Sequence, residues 1–358
     1  MSIESKTWDA SDRAKQFVKD NIVLDFVASP WQMGWLEEPQ LHDYMGRAFA
    51  AGITGGQYSI AFADSRLSDF FKEHRQWRRV MCEQPEKYRF VHSTDDIRLA
   101  HENGQYAVIW NCQTVEVLDG DPENILLMRE MGVGSMLLAY NERFRSGDGC
   151  IVPLHKEDGG LTHYGKQVID AMHKYGMVLD LSHCSEKTSL DATAYTQENW
   201  QGKPVVYTHS VPKGPHPLCY RNISDAQIKA SAETGGVTCP TFTEWMLDPI
   251  WPDDIEPGHC ANLIDYVVQL VGIDHCGIAS DDMFTVSAVE AFAKAKPDVY
   301  DDNGFMFEAF GEGAAGCGEF SKIIPATVDC LFEKGYKKAD VAKVLGGNMM
   351  RVFDQVWI

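Results

Sequence analysis

The sequence predicts an α/β fold, a (β/α)8 TIM barrel with loop insertions occupying a single domain over residues 1–358. Three observations predict it. Eight short β-branched or apolar runs recur along the chain, and segments with helical periodicity separate them. No Gly/Ser/Pro linker, tandem repeat or low-complexity stretch divides the chain. A length of 358 residues is ordinary for a barrel that carries insertions. An open doubly wound sheet is the rival, but none of the eight runs is followed by GxGxxG.

The runs are, in order, Asn21–Ser29, Gly52–Ala61, Tyr106–Gln113, Gly134–Tyr140, Met177–His183, Pro204–His209, Gly236–Pro240 and Cys276–Asp281. Several are continuously apolar, as strands covered on both faces should be. Between them, Gly165–Tyr175 places Val168, Ile169, Met172 and Tyr175 on one helical face. Asp225–Thr234 opens on an Asp cap candidate, and Asp340–Phe353 reads as a helix with Val341, Val344, Leu345 and Val352 inward. Asp64–Arg89 reads as helix rich in Arg and aromatic residues. Pro240–Pro257 and Val286–Gly318 are excursions beyond a minimal barrel, and such loops at the C-terminal face shape a barrel's site.

Composition narrows the partners. A hydrophobic fraction of 44% with 9 Trp supports a sizeable core, and no 18-residue apolar run is present to span a bilayer. Met1–Asn21 is polar, without the apolar stretch of a signal peptide, so a cytoplasmic location is expected. Ten Cys are scattered with no CxxC pair, which points to buried, reduced thiols. The formal charge of −20 would repel a phosphate backbone or an anionic membrane. A small-molecule substrate is expected, with neither nucleic acid nor membrane as partner.

Two runs end in histidine, at Asp180-Leu-Ser-His183 and Tyr207-Thr-His209. Histidines at the C-terminal ends of neighbouring barrel strands point into the mouth, where two neutral imidazoles can converge on one Zn²⁺. The last run ends in Ser280-Asp281-Asp282. Asp281 could ligate the metal or take a proton from a water the metal acidifies, whereas Asp282 reads as a helix cap or surface acid. Twelve residues after His209, Arg221-Asn222 offers a planar guanidinium fork suited to a substrate carboxylate.

Taken together, Val178–Ser185, Pro204–Ser210, Tyr220–Asp225, Gly272–Asp281 and Leu345–Phe353 resemble the membrane (renal) dipeptidase family of zinc peptidases. The resemblance implies an amidohydrolase-like, metal-dependent hydrolase barrel, a homodimer, and dipeptide hydrolysis at a two-metal site. It makes His183 and His209 the imidazole ligands of one metal. Asp281 would then handle the nucleophile's proton, and Arg221 with Asn222 would bind the substrate.

The other metal's ligands do not carry over. The family's first strand ends in His-x-Asp, where this chain has Val27 and Ser29; its bridging Glu falls on Gln113. Its substrate-contacting histidine falls on Tyr140, beside Asn141. No shift of register repairs the first strand, because Met1–Leu41 contains no histidine. Valine has no lone pair to give and neutral glutamine cannot offset two dications. One zinc is therefore expected, on His183 and His209 with Gln113 or Asp281 and water. The function expected is hydrolysis of a small amide or dipeptide-like substrate bearing a carboxylate. A catalytically inactive dipeptidase-like binding protein, or another small-molecule hydrolase on the same barrel, stays open as an alternative.

Overall fold

Seven of the segments that carry β-branched and aromatic residues pair into one sheet in the computed structural model, which describes residues 8–28, 38–243, 246–247, 255–282, 294–297 and 320–358. The strands are β1 (Leu24–Asp25), β2 (Gly55–Phe62), β3 (Tyr88–Phe90), β4 (Tyr106–Gln113), β5 (Val133–Leu137), β6 (Val178–Asp180) and β7 (Val205–Val206). All pair in parallel, in the order β1-β2-β4-β5-β6-β7, with β3 against the first half of β4. Every residue of β2 and β4 is buried, as a parallel sheet covered on both faces requires.

Backbone contacts continue past both edges of the sheet. Thr238 bridges in parallel to Tyr207 on one side and to Cys276 on the other. Phe26 N donates to Ile278 O at 3.3 Å, and Asp281 N donates to Val27 O at 2.8 Å. The buried Asp25 carboxylate adds to that junction by accepting from Ser280 N at 2.8 Å and Ser280 Oγ at 2.6 Å.

The helices start where capping side chains allow. Ser93, Thr162, Ser185 and Ser224 each accept from a backbone N–H in the first turn. The cap of the helix Asp225–Glu233 is thus Ser224, in a capping box with Gln227, and not Asp225. Gly104 and Gly176 end their helices in the left-handed conformation.

One other expectation is corrected and two are sharpened. The Arg-rich helix runs only from Leu67 to Glu83, and Tyr88–Phe90 is a strand. Gln84 stands before Pro85, which disfavours helical backbone there. The final helical stretch runs unbroken from Lys338 to Val356 with Val341, Val344, Leu345 and Val352 buried as expected, but a π-turn at Lys343–Gly347 separates its two α-helical parts. A Cβ on Gly346 would sit 2.5 Å from Ile22 O, so the chain approaches β1 more tightly there than any side chain permits. Of the two roles expected for Asp282, helix cap or surface acid, it takes the first: it is buried, and its Oδ2 accepts from Phe320 N at 3.1 Å, capping the helix Phe320–Glu333. Half of Pro240–Pro257 and nearly all of Val286–Gly318, and Ser29 with them, lie outside the described residues.

All described cysteines are free, and all but Cys82 and Cys330 are buried. No helix among the described residues is long and apolar enough to cross a membrane.

Candidate functional site

The backbone itself marks the strand ends. Among the described residues, five that are not glycine have positive φ; Ala63 (48°), Asn141 (61°) and His183 (63°) follow β2, β5 and β6, and Asp281 (51°) follows the segment that bridges to Thr238 and Thr241. Left-handed backbone is costly for a residue with a Cβ, and such strain collects where function holds it in place. At His183 the turn has a visible cause. Pairing stops at Asp180, whose Oδ1 accepts from Ser182 N at 3.0 Å, Ser182 Oγ at 2.8 Å and Thr208 N at 3.1 Å. The next residues therefore curl over the end of the sheet instead of extending β6.

This curl brings His183 and His209 together. Their Nε2 atoms face each other at 2.9 Å, and the rings are 6% and 0% exposed. His183 Nδ1 lies 2.6 Å from Asn141 Oδ1, so its ring proton sits on Nδ1 and Nε2 keeps its lone pair. Asn141 Oδ1 also accepts from the Cys150 thiol at 3.3 Å, consistent with oxygen at that position. His209 Nδ1 lies 2.8 Å from Thr208 Oγ1, which in turn donates to Asp180 Oδ2. Burial pushes both imidazole pKa values well below the usual range, and the positive Arg221 pushes them the same way. Neutral rings with converging nitrogens are the protonation state a metal ligand needs.

Arg221 lies behind the pair at 2% exposure, donating from Nη1 to Ser210 Oγ at 2.9 Å and from Nη2 to His209 O at 2.7 Å. It also lines a cavity of about 500 Å³ with Cys150, Cys184, Lys213, Tyr220 and Asn222. Asp281 is partly exposed; burial raises its pKa to about 7, with Arg221 opposing and Asp282 adding. Tyr140 stacks on His183 with ring centres 4.1 Å apart and meets the edge of Phe62.

The remaining expected residues also make protein contacts. Gln113 Nε2 donates to Ser59 Oγ at 2.8 Å at the end of β4. Asn222 Nδ2 bridges His216 O at 2.7 Å and Met246 O at 2.9 Å, stapling the loop that carries Arg221. Asn141, expected to contact substrate, turns its side-chain oxygen to His183.

The donors fit one metal better than two. Among the described residues no three of His, Cys, Asp and Glu converge as a metal site. Val27 is fully buried and apolar where the first strand would need a ligand. His42, the first histidine in the chain, is engaged with Tyr88 and Gln84 and supplies no substitute. Sequence reasoning found both histidines but missed Asp180, Thr208 and Ser182, the residues that shape their strand ends. The Asp-x-x-His spacing was the one linear trace of them.

Comparison with known proteins bears on the fold and the family. The chain is 23% identical over 306 residues to the dipeptidase tcpJ of Claviceps purpurea, covering 84% of this chain and 62% of that one. It is 24% identical to the dipeptidase ataJ of Aspergillus terreus, over 78% of this chain and 64% of that one. It thus spans less than two thirds of either fungal protein. Among solved structures, an amidohydrolase from Pseudomonas aeruginosa superposes with a TM-score of 0.80 at 24% identity, covering 96% of this chain and 99% of that one. A metallopeptidase from Rhodobacter sphaeroides, liganded with a phosphinate mimic of the dipeptide L-Ala-D-Ala, gives 0.73 at 17% identity, covering 94% and 100%. These likenesses show the fold. The family model for membrane dipeptidase, peptidase family M19, matches residues 39–292, and the chain belongs to that family.

Proposed function

We propose that this protein is a metal-dependent hydrolase of a small amide or dipeptide-like substrate bearing a carboxylate, with a single metal, zinc by family likeness, on His183 and His209. The observation that carries the reading is the pair of buried, neutral imidazoles whose Nε2 atoms face each other at 2.9 Å. The amide oxygen of Gln113 and water would complete the shell. A divalent metal held there would polarise the scissile carbonyl and lower the pKa of a water to about 7.

The chain's own residues supply the rest. Asp281, with its pKa raised to about 7, is poised to take a proton at neutral pH. Arg221 is locked by His209 O and Ser210 Oγ, so its fork meets a carboxylate with little ordering left to do. Tyr140 covers one face of His183 and excludes water from it. The names of the fungal relatives and the dipeptide mimic in the Rhodobacter structure support a dipeptide-like substrate.

We propose further that the sheet closes into a full (β/α)8 barrel within a single domain. The contacts of Thr238 with Tyr207 and Cys276, and those of residues 278 and 281 with 26 and 27, support closure.

The test is an amide and dipeptide library on protein stripped of metal and reloaded with zinc, run with acid and amide forms of each hit. Losing a buried charged contact costs about 2–5 kcal/mol, so Arg221→Ala should lower kcat/KM on the acid by about 30-fold or more and spare the amide. Equal losses on both forms would make Arg221 structural. Turnover of nothing in the library by metal-loaded protein would favour a binding role.

A further inference from the structure

We infer that Asp180 and Thr208 are positioning residues that fix which nitrogen of His209 carries its proton and so keep its Nε2 open to a metal; this rests on the metal reading above. The warrant is a count of protons. Thr208 has one hydroxyl proton and two polar neighbours, Asp180 Oδ2 and His209 Nδ1 at 2.8 Å. Burial raises the Asp180 pKa, and hydrogen bonds from the Thr208 hydroxyl, Ser182 N, Thr208 N and the Ser182 hydroxyl favour the ionised form against it; as a carboxylate it can only accept, so the hydroxyl donates to it. Thr208 Oγ1 is then left as an acceptor towards His209, and the ring proton must sit on Nδ1. His209 Nε2 keeps its lone pair, and it faces the lone pair of His183 Nε2, whose own proton Asn141 holds on Nδ1. Both rings thereby present bare nitrogen to one point.

Asp180 is held for this task from several sides. Its Oδ1 accepts from Ser182 N, Ser182 Oγ and Thr208 N, and Ser182 Oγ accepts from His209 N at 3.2 Å. The carboxylate therefore cannot swing away from Thr208 without opening the turns after both β6 and β7. A carboxylate or carbonyl partner to the far nitrogen of a ligating histidine is a recurrent outer-shell device, and its loss costs about 10–100-fold in metal affinity. Here the link passes through a hydroxyl, so its polarity can be reversed by a change of one atom.

Asp180→Asn is that change. The amide oxygen can still accept from Ser182 and Thr208 N, but an NH2 now faces Thr208 Oγ1 and donates to it. Thr208 must then donate to His209 Nδ1, which drives the ring proton to Nε2 and blocks the metal. Thr208→Val removes the link, and Thr208→Ser restores it.

The experiment is zinc affinity, by competition with a chromophoric chelator, for full-length wild type, Asp180→Asn, Thr208→Val and Thr208→Ser, with thermal unfolding as the fold control. Asp180→Asn and Thr208→Val should bind about 10–100-fold more weakly, and Thr208→Ser should stay near wild type. In the cobalt-loaded proteins, proton NMR should show two slowly exchanging imidazole N–H signals for wild type and Thr208→Ser. Thr208→Val should lose the His209 signal to solvent exchange. Wild-type affinity in both Asp180→Asn and Thr208→Val overturns the inference alone, whereas wild type that takes up no metal overturns the metal reading with it. Should Asp180→Asn fail to fold, the Thr208 pair and the NMR signals still decide the matter.

Discussion

His183 and His209 are held by different partners, one by the Asn141 amide and the other by the Thr208 hydroxyl, and both are buried to 6% exposure or less. Replacing either with Ala should abolish metal binding and hydrolysis while the protein still unfolds cooperatively, because each ring lies at a strand end above the packed sheet. Circular dichroism beside metal analysis checks both halves; full metal content in either variant would displace that residue from the site. Asp281 gives a pH signature with a defined sign. A general base must be ionised, so kcat/KM should rise through a pH of about 7, and Asp281→Asn should remove that limb with most of the activity. Stability runs the other way. The folded pKa lies above the unfolded one, so the contribution of Asp281 is fully present below the unfolded value and is lost as pH rises through about 7. Asp281→Asn should therefore melt above wild type at pH 8, with the gap narrowing towards pH 4. Melting curves across that range read the sign directly.

At the scale of elements, the site depends on turns that follow strands, above all the loop after β5. Asn141 reaches His183 only because Gly149 lets the returning chain lie against it; a Cβ on Gly149 would come within 2.2 Å of Asn141 backbone carbon. Gly149→Ala should cost at least about 1–3 kcal/mol through overpacking and weaken metal binding as Asn141 shifts. Gly46→Ala meets nothing within 4 Å in the helix Glu38–Ala51 and should stabilise by about 0.5–1 kcal/mol. Chemical denaturation of the two variants provides the contrast, and equal effects would remove the special role of Gly149. The strands were legible because Val, Ile and aromatic residues cluster in them, but runs such as Met177–His183 overshot. Pairing ends where the Asp180 side chain competes for backbone N–H groups, and apolar periodicity carries no sign of that. β3 went unseen because three residues, Tyr88-Arg-Phe90, are too few to show a period. The histidines were readable from their strand-end positions. Their supports were not, since Asn141 lies 42 residues from His183, and Asp180 lies 28 from Thr208.

Over the whole molecule, a parallel sheet with its polar strand ends gathered on one side places neutral imidazoles, one raised carboxyl and one buried guanidinium together in a chain of net charge −20. On the proposed reading, long-range repulsion of anions makes a buried cation such as Arg221 the means of holding a carboxylate, and the absence of acidic ligands at Ser29 and Gln113, with a histidine replaced by Val27, would leave charge compensation for one dication only. We propose that this dipeptidase-family fold works with a single metal. Elemental analysis of protein stripped of metal, reloaded with excess zinc and passed through a desalting column tests it most directly. One equivalent of zinc per chain, lost in His183→Ala and His209→Ala, is the expected result; two equivalents per chain in the wild type would contradict it.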